Sequence, residues 1–324
     1  MEFNGTLFAN NLIIGIATGA LIALIALGYT LVYGIIELIN FAHGEVFMMG
    51  AFAATSLVTI TGVTSDSPGL VILGVLGVTM ILAMVFSALV NFGIDRVAYK
   101  RLRNAPRLAP LIAAIGFSFI LQNIGIYWHG SNPFTPPQII PTDIRSFNVL
   151  TEIFGLETKI RLRLLDLMIV GVTIPLLLGL IWFVYRTRIG TAMRATAQDR
   201  EAAALMGIDV NRTIGVAFLL GGAMAGAAGV IALFYNNSAR FQMGFRYGLF
   251  AFTAAVLGGI GNLTGAVLGG LFIGITWAMS DGFVKQYIPG WGPQWTTSVI
   301  FGLLVLVLVF RPSGLLGEQT PDKV

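Results

Sequence analysis

Apolar runs close to the roughly 20 residues needed to cross a bilayer recur along almost the whole chain. They fall at roughly 12–34, 45–62, 70–94, 110–128, 164–185, 213–234, 248–280 and 295–310. Inside hydrocarbon a lone segment satisfies its backbone only as a helix. The expected fold is therefore an all-α polytopic integral membrane protein, with residues 1–324 forming a single transmembrane domain and no room for a soluble one. Charge agrees: 10% of the residues are charged, against about 25% in soluble domains. The opening MEFNGTLFANN has no basic segment, so the first run is expected to be a retained span and not a cleaved signal.

The basic residues show how the spans are threaded. Asp95–Arg107 carries Arg96, Lys100, Arg101, Arg103 and Arg107 against one acid, and with 186–212 it holds ten of the 19 Lys and Arg residues. Two spans separate these segments, which places them on one face, the cytoplasmic one by the positive-inside rule. The segment 129–163 is then an external loop. Pro133, Pro136, Pro137 and Pro141 exclude a continuous helix at its start, and the alternation in FNVLTEI and TKIRLRL suggests a small hairpin. Such an element is either a contact for an extracytoplasmic partner or a tether with a folded tip.

Two places break the simple pattern. Residues 248–280 are long for one span and short for two, and their middle, Gly258-Gly259-Ile-Gly261-Asn262, has the glycines and polar group of a broken helix. Near the start, Glu37, Asn40, His43 and Glu45 interrupt two apolar runs. Irregular backbone at membrane depth is tolerated beside protein or a water-filled cavity, and discontinuous helices often build transporter pathways. Eight to nine crossings are expected, some broken or re-entrant.

Asn40, His43 and Glu45 form one candidate pathway set, because an acid and an imidazole bordering a bilayer usually face a cavity or partner. The plainer alternative is that Asn40 caps the next helix and Glu45 stabilises its first turn. Gly258, Gly259, Gly261 and Asn262 form the second set. Their plainer role is close helix packing, as in Gly265-x-x-x-Gly269.

Several chemistries are excluded. The chain has no cysteine, hence no disulfide, thiolate metal site or cysteine nucleophile. His43 and His129 belong to no metal-ligand pattern, and no catalytic residue, metal or cofactor is expected. No GxxxxGK[ST] occurs, so any ATP is bound by another chain. The net charge of +4 resides between spans and signals no nucleic-acid partner.

The segment 186–212 has structure of its own. Asp199 is a good N-cap for a helix of about two turns through Ala202, Ala203 and Ala204, with Gly207 placed to end it. Its surface is mostly methyl-sized, ending in Leu205, Met206 and Ile208, and Arg194, Asp199 and Glu201 offer polar contacts. The alternatives are a surface helix between spans and a docking helix for another protein's cleft. Glu201-Ala202-Ala203-x-x-x-Gly207 resembles the EAA signature by which ABC importer permeases contact their ATPase, although the later Ile-x-Leu-Pro part is absent.

Four stretches together resemble one family, the branched-chain amino acid ABC-transporter permeases of the LivH type. They are GYTLVYGIIELINFAHGEVFMMGAF (28–52), RVAYKRLRNAPRLAPLIAAIGFSFILQN (96–123), the Asp-x-x-x-Ala-x-x-x-Gly-Ile spacing within 190–215, and AFTAAVLGGIGNLTGAVLGG (251–270). The resemblance implies a multi-pass protein of the bacterial inner membrane that is no enzyme. It also implies pairing with a second related permease, usually as a heterodimer, over two ATPase subunits, with an extracytoplasmic binding protein delivering leucine, isoleucine or valine. Asp199, Glu201 and Gly207 then belong to the ATPase-coupling loop, with Arg194, Ala202 and Ala203 beside them. Two departures bear on substrate: Leu263-Thr264 where the family usually has Pro before Gly-Ala, and Phe250 where a Lys often stands. Related permeases carry urea, short amides or other amino acids. An autonomous channel or ion-driven carrier is the remaining class, and only Glu37 and Glu45 offer it an acid within the spans.

The topology is testable in this cysteine-free chain. A Ser146→Cys variant is expected to react with an impermeant thiol reagent in intact cells, and protection there would invert the orientation.

Overall fold

The computed structural model describes residues 4–103, 105–106, 108–155, 159–311 and 313–317. Arg107 and residues 156–158, named above in the basic segment and the external loop, lie outside them. The longest apolar stretch becomes the axis of the fold. Helix α1 (Gly5–Ile36) starts at Asn4, whose side chain accepts a hydrogen bond from the Leu7 N–H. At 1.5 Å per residue its 32 residues span about 48 Å, well beyond the roughly 30 Å hydrocarbon core.

The other main helices are α2 (His43–Thr61), α3 (Gly69–Leu102), α4 (Leu108–His129), α5 (Leu164–Arg186), α6 (Arg188–Gln198), α7 (Arg200–Leu205), α8 (Val210–Asn236), α9 (Met243–Gly258), α10 (Leu263–Tyr287) and α11 (Pro293–Phe310). Helix α3 runs through a π turn at Asp95–Tyr99, so most of the expected basic linker is a helical extension of the span. Helix α10 contains a second π turn at Met279–Val284.

Eight of these helices are long and apolar enough to cross a membrane. The ninth crossing is α9, only 16 residues long. It is required because α8 ends at Asn236, next to Asn237 whose side chain accepts from Arg145, whereas α10 begins at the other face, where the Asn262 side chain donates to the Leu316 carbonyl. The two basic segments share a face: Arg103 bonds Asn211 and, with residues 196–201, lines one polar groove. The described residues of 129–163 and the start of α1 lie opposite, joined by Asn10, which accepts from the Arg161 N–H at 2.7 Å.

Burial divides the helices into an inner and an outer set. Helices α1, α2 and α8 are mostly buried, whereas few residues of α3, α4, α5 and α11 are, and Leu70, Ile81 and Leu89 on α3 are exposed. A helix that is apolar all round sits in a core or faces lipid, and both cases occur here.

The inner set is held by contacts of backbone against backbone. Among the described residues, a Cβ at Gly270 would lie 2.6 Å from the Ala23 Cα, one at Gly19 would lie 2.8 Å from the Leu271 Cα, and Gly274 abuts Gly19. Gly258 and Gly265 meet in the same way between α9 and α10, and Gly222 and Gly226 lie against Ala88 and Ser87 on α3. Without a hydrophobic drive between helices in lipid, such close approach supplies the packing energy.

Two expectations are corrected. In place of the hairpin expected from 147–153 and 158–164, the described residues show a single helical turn, Val149–Glu152, with an isolated bridge between Asn148 and Arg163. The Val149 N–H donates to the Leu162 carbonyl and the Leu164 N–H to that of Phe147, and the Asn148 side chain takes the Leu162 N–H and caps the Leu150 N–H, so the pairing is confined to one bridge. Nor does Asn40 cap α2: the cap position is Ala42, without a side-chain bond, because the Asn40 amide is used across the helices as described below.

The glycine contacts predict an asymmetry. Gly274→Val is expected to lower stability by about 3 kcal/mol, the upper range for overpacking, while Gly74→Val, where the space is open, changes little. Thermal unfolding of the two variants in detergent measures the difference.

Candidate functional site

The turn between α1 and α2 is built from buried polar links. Glu37 ends α1 in the left-handed region (φ 53°, ψ 25°), its N–H donating to the Tyr33 carbonyl at 2.7 Å. A non-glycine residue there is uncommon, and the surroundings show what holds it. The π turn of α3 carries Tyr99, whose hydroxyl donates toward the Ile39 carbonyl at 3.2 Å, with Asn40 Oδ1 at 3.3 Å. Asn40 Nδ2 donates to Asn91 Oδ1 at 3.2 Å, and Asn91 Nδ2 donates to the Phe218 carbonyl at 2.7 Å. The turn is thereby tied to α3 and α8 by bonds that strengthen away from water.

Beyond the turn, α2 starts inside the protein. His43 is buried with its ring edge-on to Tyr29 (centroids 4.7 Å apart), and Gly28 leaves it room because a Cβ there would strike the imidazole. Glu45 lies in the first turn of α2, and it is fully buried. Its carboxylate turns toward α4: Gln122 Nε2 donates to Oε1 at 2.8 Å and Ser118 Oγ at 3.2 Å. Oε2 has no hydrogen-bond partner and abuts Gly244 of α9.

Next to this carboxylate, a cavity of about 250 Å³ opens between α1, α4 and α9, with Tyr29, Ser118, Gln122, Gly244 and Gly248 among its walls. Ser118 and Gln122 are missed by a reading that looks only at breaks. Their one signal in the sequence is a pair of polar residues four apart, on a single face of an apolar span.

The second break lies elsewhere. Gly258, Gly259, Gly261 and Asn262 sit at the basic face, and the structure does not bring them to Asn40, His43 and Glu45. Gly259 and Gly261 take φ of 101° and 94°, and Asn262 caps α10 by accepting from the Gly265 N–H at 2.9 Å. The segment after α11 folds over them, with the Leu315 and Leu316 N–H groups donating to the carbonyls of Leu257 and Gly258. Gly261 lines a small cavity with Gly34 and Arg194. Phe250 is buried against Trp277.

At the same face the segment 186–212 forms two helices. Thr187 caps α6 through the Gly190 N–H. Asp199 turns the chain and caps α7, accepting from the N–H groups of Glu201 and Ala202 at 2.9 and 3.0 Å. The Gly207 N–H donates to the Ala204 carbonyl and the Ile208 N–H to that of Ala203, with Gly207 at φ 85°: a Schellman ending. Ala203 faces inward, while Glu201, Ala202 and Ala204 are exposed, and Leu205 and Met206 are 88% and 84% exposed. Arg194 is on α6 instead, its guanidinium 5.2 Å from the Tyr185 ring centroid. Arg200 Nε donates to the Ile35 carbonyl at 3.2 Å, so α7 rests on the end of α1. Beside it, Arg103 pairs with the buried Asp95 at 2.7 Å.

On the opposite face, Arg163 bonds both oxygens of Asp166 and the Tyr235 hydroxyl. The Asp166 hydrogen bond raises the Arg163 pKa above the usual arginine value. Burial, with the Arg163 charge nearby, lowers that of Arg145, which donates to the Phe234 carbonyl at 3.0 Å.

A bundle of apolar spans, a polar turn after α1, a cavity beside a buried carboxylate and a short exposed helix at one face make an all-α polytopic membrane protein. Residues 11–309 match the family described as "Branched-chain amino acid transport system / permease component", and the chain belongs to that family. It is 39% identical over 321 residues to the high-affinity branched-chain amino acid transport system permease protein BraD of Pseudomonas aeruginosa, covering 98% of each chain. It is 37% identical over 322 residues to the permease protein LivH of Escherichia coli K12, again covering 98% of each. A probable LivH from Methanocaldococcus jannaschii is 27% identical over 308 residues, covering 92% of this chain and 89% of its own. No solved structure matches. The chain is a transport-system permease of the inner membrane, multi-pass, and not an enzyme.

The Asp95–Arg103 pair yields a stability prediction. Removing one partner of a buried pair costs roughly 3–5 kcal/mol, so Arg103→Ala is expected to destabilise by about that much. Adding Asp95→Asn is expected to recover most of it, as read by thermal unfolding of the single and double variants.

Proposed function

We propose that this chain, as a single permease domain over 1–324, is the permease subunit of a binding-protein-dependent ABC importer for leucine, isoleucine and valine. In this reading it forms half of the translocation pathway. It pairs with a second related permease as a heterodimer over two ATPase subunits, and an extracytoplasmic binding protein delivers the substrate. The basic face is cytoplasmic and 129–163 external. The bilayer is its only other partner, and no nucleic acid or cofactor takes part.

The observation that carries this reading is α7. A six-residue helix capped at both ends, with Leu205 and Met206 turned outward, is costly in water and suited to the cleft of another protein. Asp199 and Gly207 serve by holding its ends, Glu201, Ala202 and the Leu205–Met206 pair by contact, and Arg194 from the neighbouring helix. Arg200 gives the helix a mechanical outlet through the Ile35 carbonyl to the turn that starts α2. ATP binding closes the ATPases, α7 moves, and the pathway reopens on the other face. Coupling of this kind requires contacts that differ between the two states.

Leu205→Asp and Gly207→Arg are each expected to release the ATPase in a pull-down while leaving the chain in the membrane. An ATPase retained by both variants would remove the assignment of α7. The reading as a whole is tested by leucine uptake into vesicles holding this chain, its genomic neighbours and their binding protein. Uptake that needs both ATP and binding protein is expected. Urea or amide uptake in place of leucine would move the substrate, and uptake by this chain alone without ATP would overturn the importer.

A further inference from the structure

The cavity between α1, α4 and α9 combines features that lipid does not use. It sits at mid-span, because Ser118 lies at the middle of the 22-residue α4. One edge is polar: Gln122 and Ser118 bond Glu45 Oε1, and the second oxygen, without a partner, lies directly behind Gly244. The other walls are apolar, with Phe41, Ile115, Phe119, Phe245 and Leu249. At about 250 Å³ it is smaller than the pockets of about 300–1,000 Å³ that hold drug-sized ligands. Phe119 and Phe245, 60% and 57% exposed, flank a sideways opening. Asn123, also exposed, lies on the same helix.

A buried carboxylate separated from a cavity by one glycine, Gly244, and one amide, Gln122, is expensive beside hydrocarbon. The closeness has a structural cause: Gly44 and Gly248 meet backbone to backbone, a Cβ on Gly248 falling 2.9 Å from the Gly44 Cα. This draws α2 against α9 and sets the Glu45 carboxylate directly behind the cavity wall formed by Gly244, Ser118 and Gln122.

We propose that this cavity is the half-site through which the permease recognises an amino acid in transit. The α-ammonium sits against Gly244, Ser118 and Gln122, drawn there by the Glu45 charge directly behind them, and the branched apolar side chain lies against Phe119, Phe245 and Leu249. The opening faces the second permease, which completes the passage. This assignment rests on the importer reading, deepens it, and adds Ser118, Gln122, Gly244 and Gly248 to the pathway.

Because the chain lacks cysteine, single-cysteine variants of the reconstituted full complex test it directly. Phe119→Cys and Gln122→Cys are expected to react with a charged methanethiosulfonate, which modifies thiols only where water reaches. Saturating leucine with binding protein and ATP should slow both reactions. Leu73→Cys, in an apolar cavity away from Glu45, is the unreactive control. Glu45→Gln is expected to lower leucine uptake roughly tenfold or more, as loss of a close opposite charge in a low-dielectric interior implies, with ATP hydrolysis retained and Glu45→Asp recovering part of the uptake. Two outcomes overturn the proposal: both cysteines as inert as the control, or labelling indifferent to leucine while the unmodified complex imports it. Failure of the importer reading shows separately, as absence of ATP-dependent leucine uptake by the unmodified complex.

Discussion

Everything in this molecule depends on how closely α1 can approach its neighbours. Gly19 against Leu271, Gly270 against Ala23 and Gly274 against Gly19 put main chain on main chain, in a solvent where apolar side chains gain nothing by leaving lipid for protein. Dispersion between tightly seated backbones takes the place of the hydrophobic effect. With α1 held by α10 on one side and by α8 through Gly221 on another, its C-terminal end is a fixed platform, and the turn into α2 is built on it.

That platform joins two regions of different character. On one side are hydrogen bonds at the basic face: Arg200 to the Ile35 carbonyl and Tyr99 to the Ile39 carbonyl. On the other is α2, beginning inside the protein with His43 and Glu45. Asn40 and Asn91 continue the connection to the Phe218 carbonyl on α8. The left-handed Glu37 and the π turn of α3 are local departures from regular helix at this junction, and departures of this kind concentrate at functional sites. Under the importer reading, this is where motion of α7 reaches the pathway.

The two breaks in the apolar pattern were legible in order but not in depth. Glu37, Asn40, His43 and Glu45 announce an interruption, yet nothing in their spacing says that Asn40 bonds Asn91 instead of capping α2, since its partner lies 51 positions away. The glycine-rich break looked equally suited to membrane depth. It lies at the basic face, where α9 ends and α10 begins, and is covered by the segment after α11 through the carbonyls of Leu257 and Gly258, a long-range pairing that composition does not encode. Gln122 and Ser118 went unremarked for the same reason: two polar residues in an apolar span acquire meaning only when a carboxylate from another helix meets them.

What the chain alone determines is whatever the bilayer and local capping dictate. Apolar runs of spanning length must become helices because hydrocarbon offers their backbone no partner. Nine of the fifteen arginines gather in the two segments 95–107 and 186–212, and Asp199 and Gly207 start and stop a short helix by bonds to their own near neighbours. What only the tertiary structure decides is which buried polar groups face one another. The meeting of Glu45 with Gln122, the seating of Arg200 on Ile35 and the separation of the two breaks follow from helix contacts between residues far apart in the chain. Those contacts are set by the fit of small residues in three dimensions, which a one-dimensional pattern of small and apolar residues leaves open.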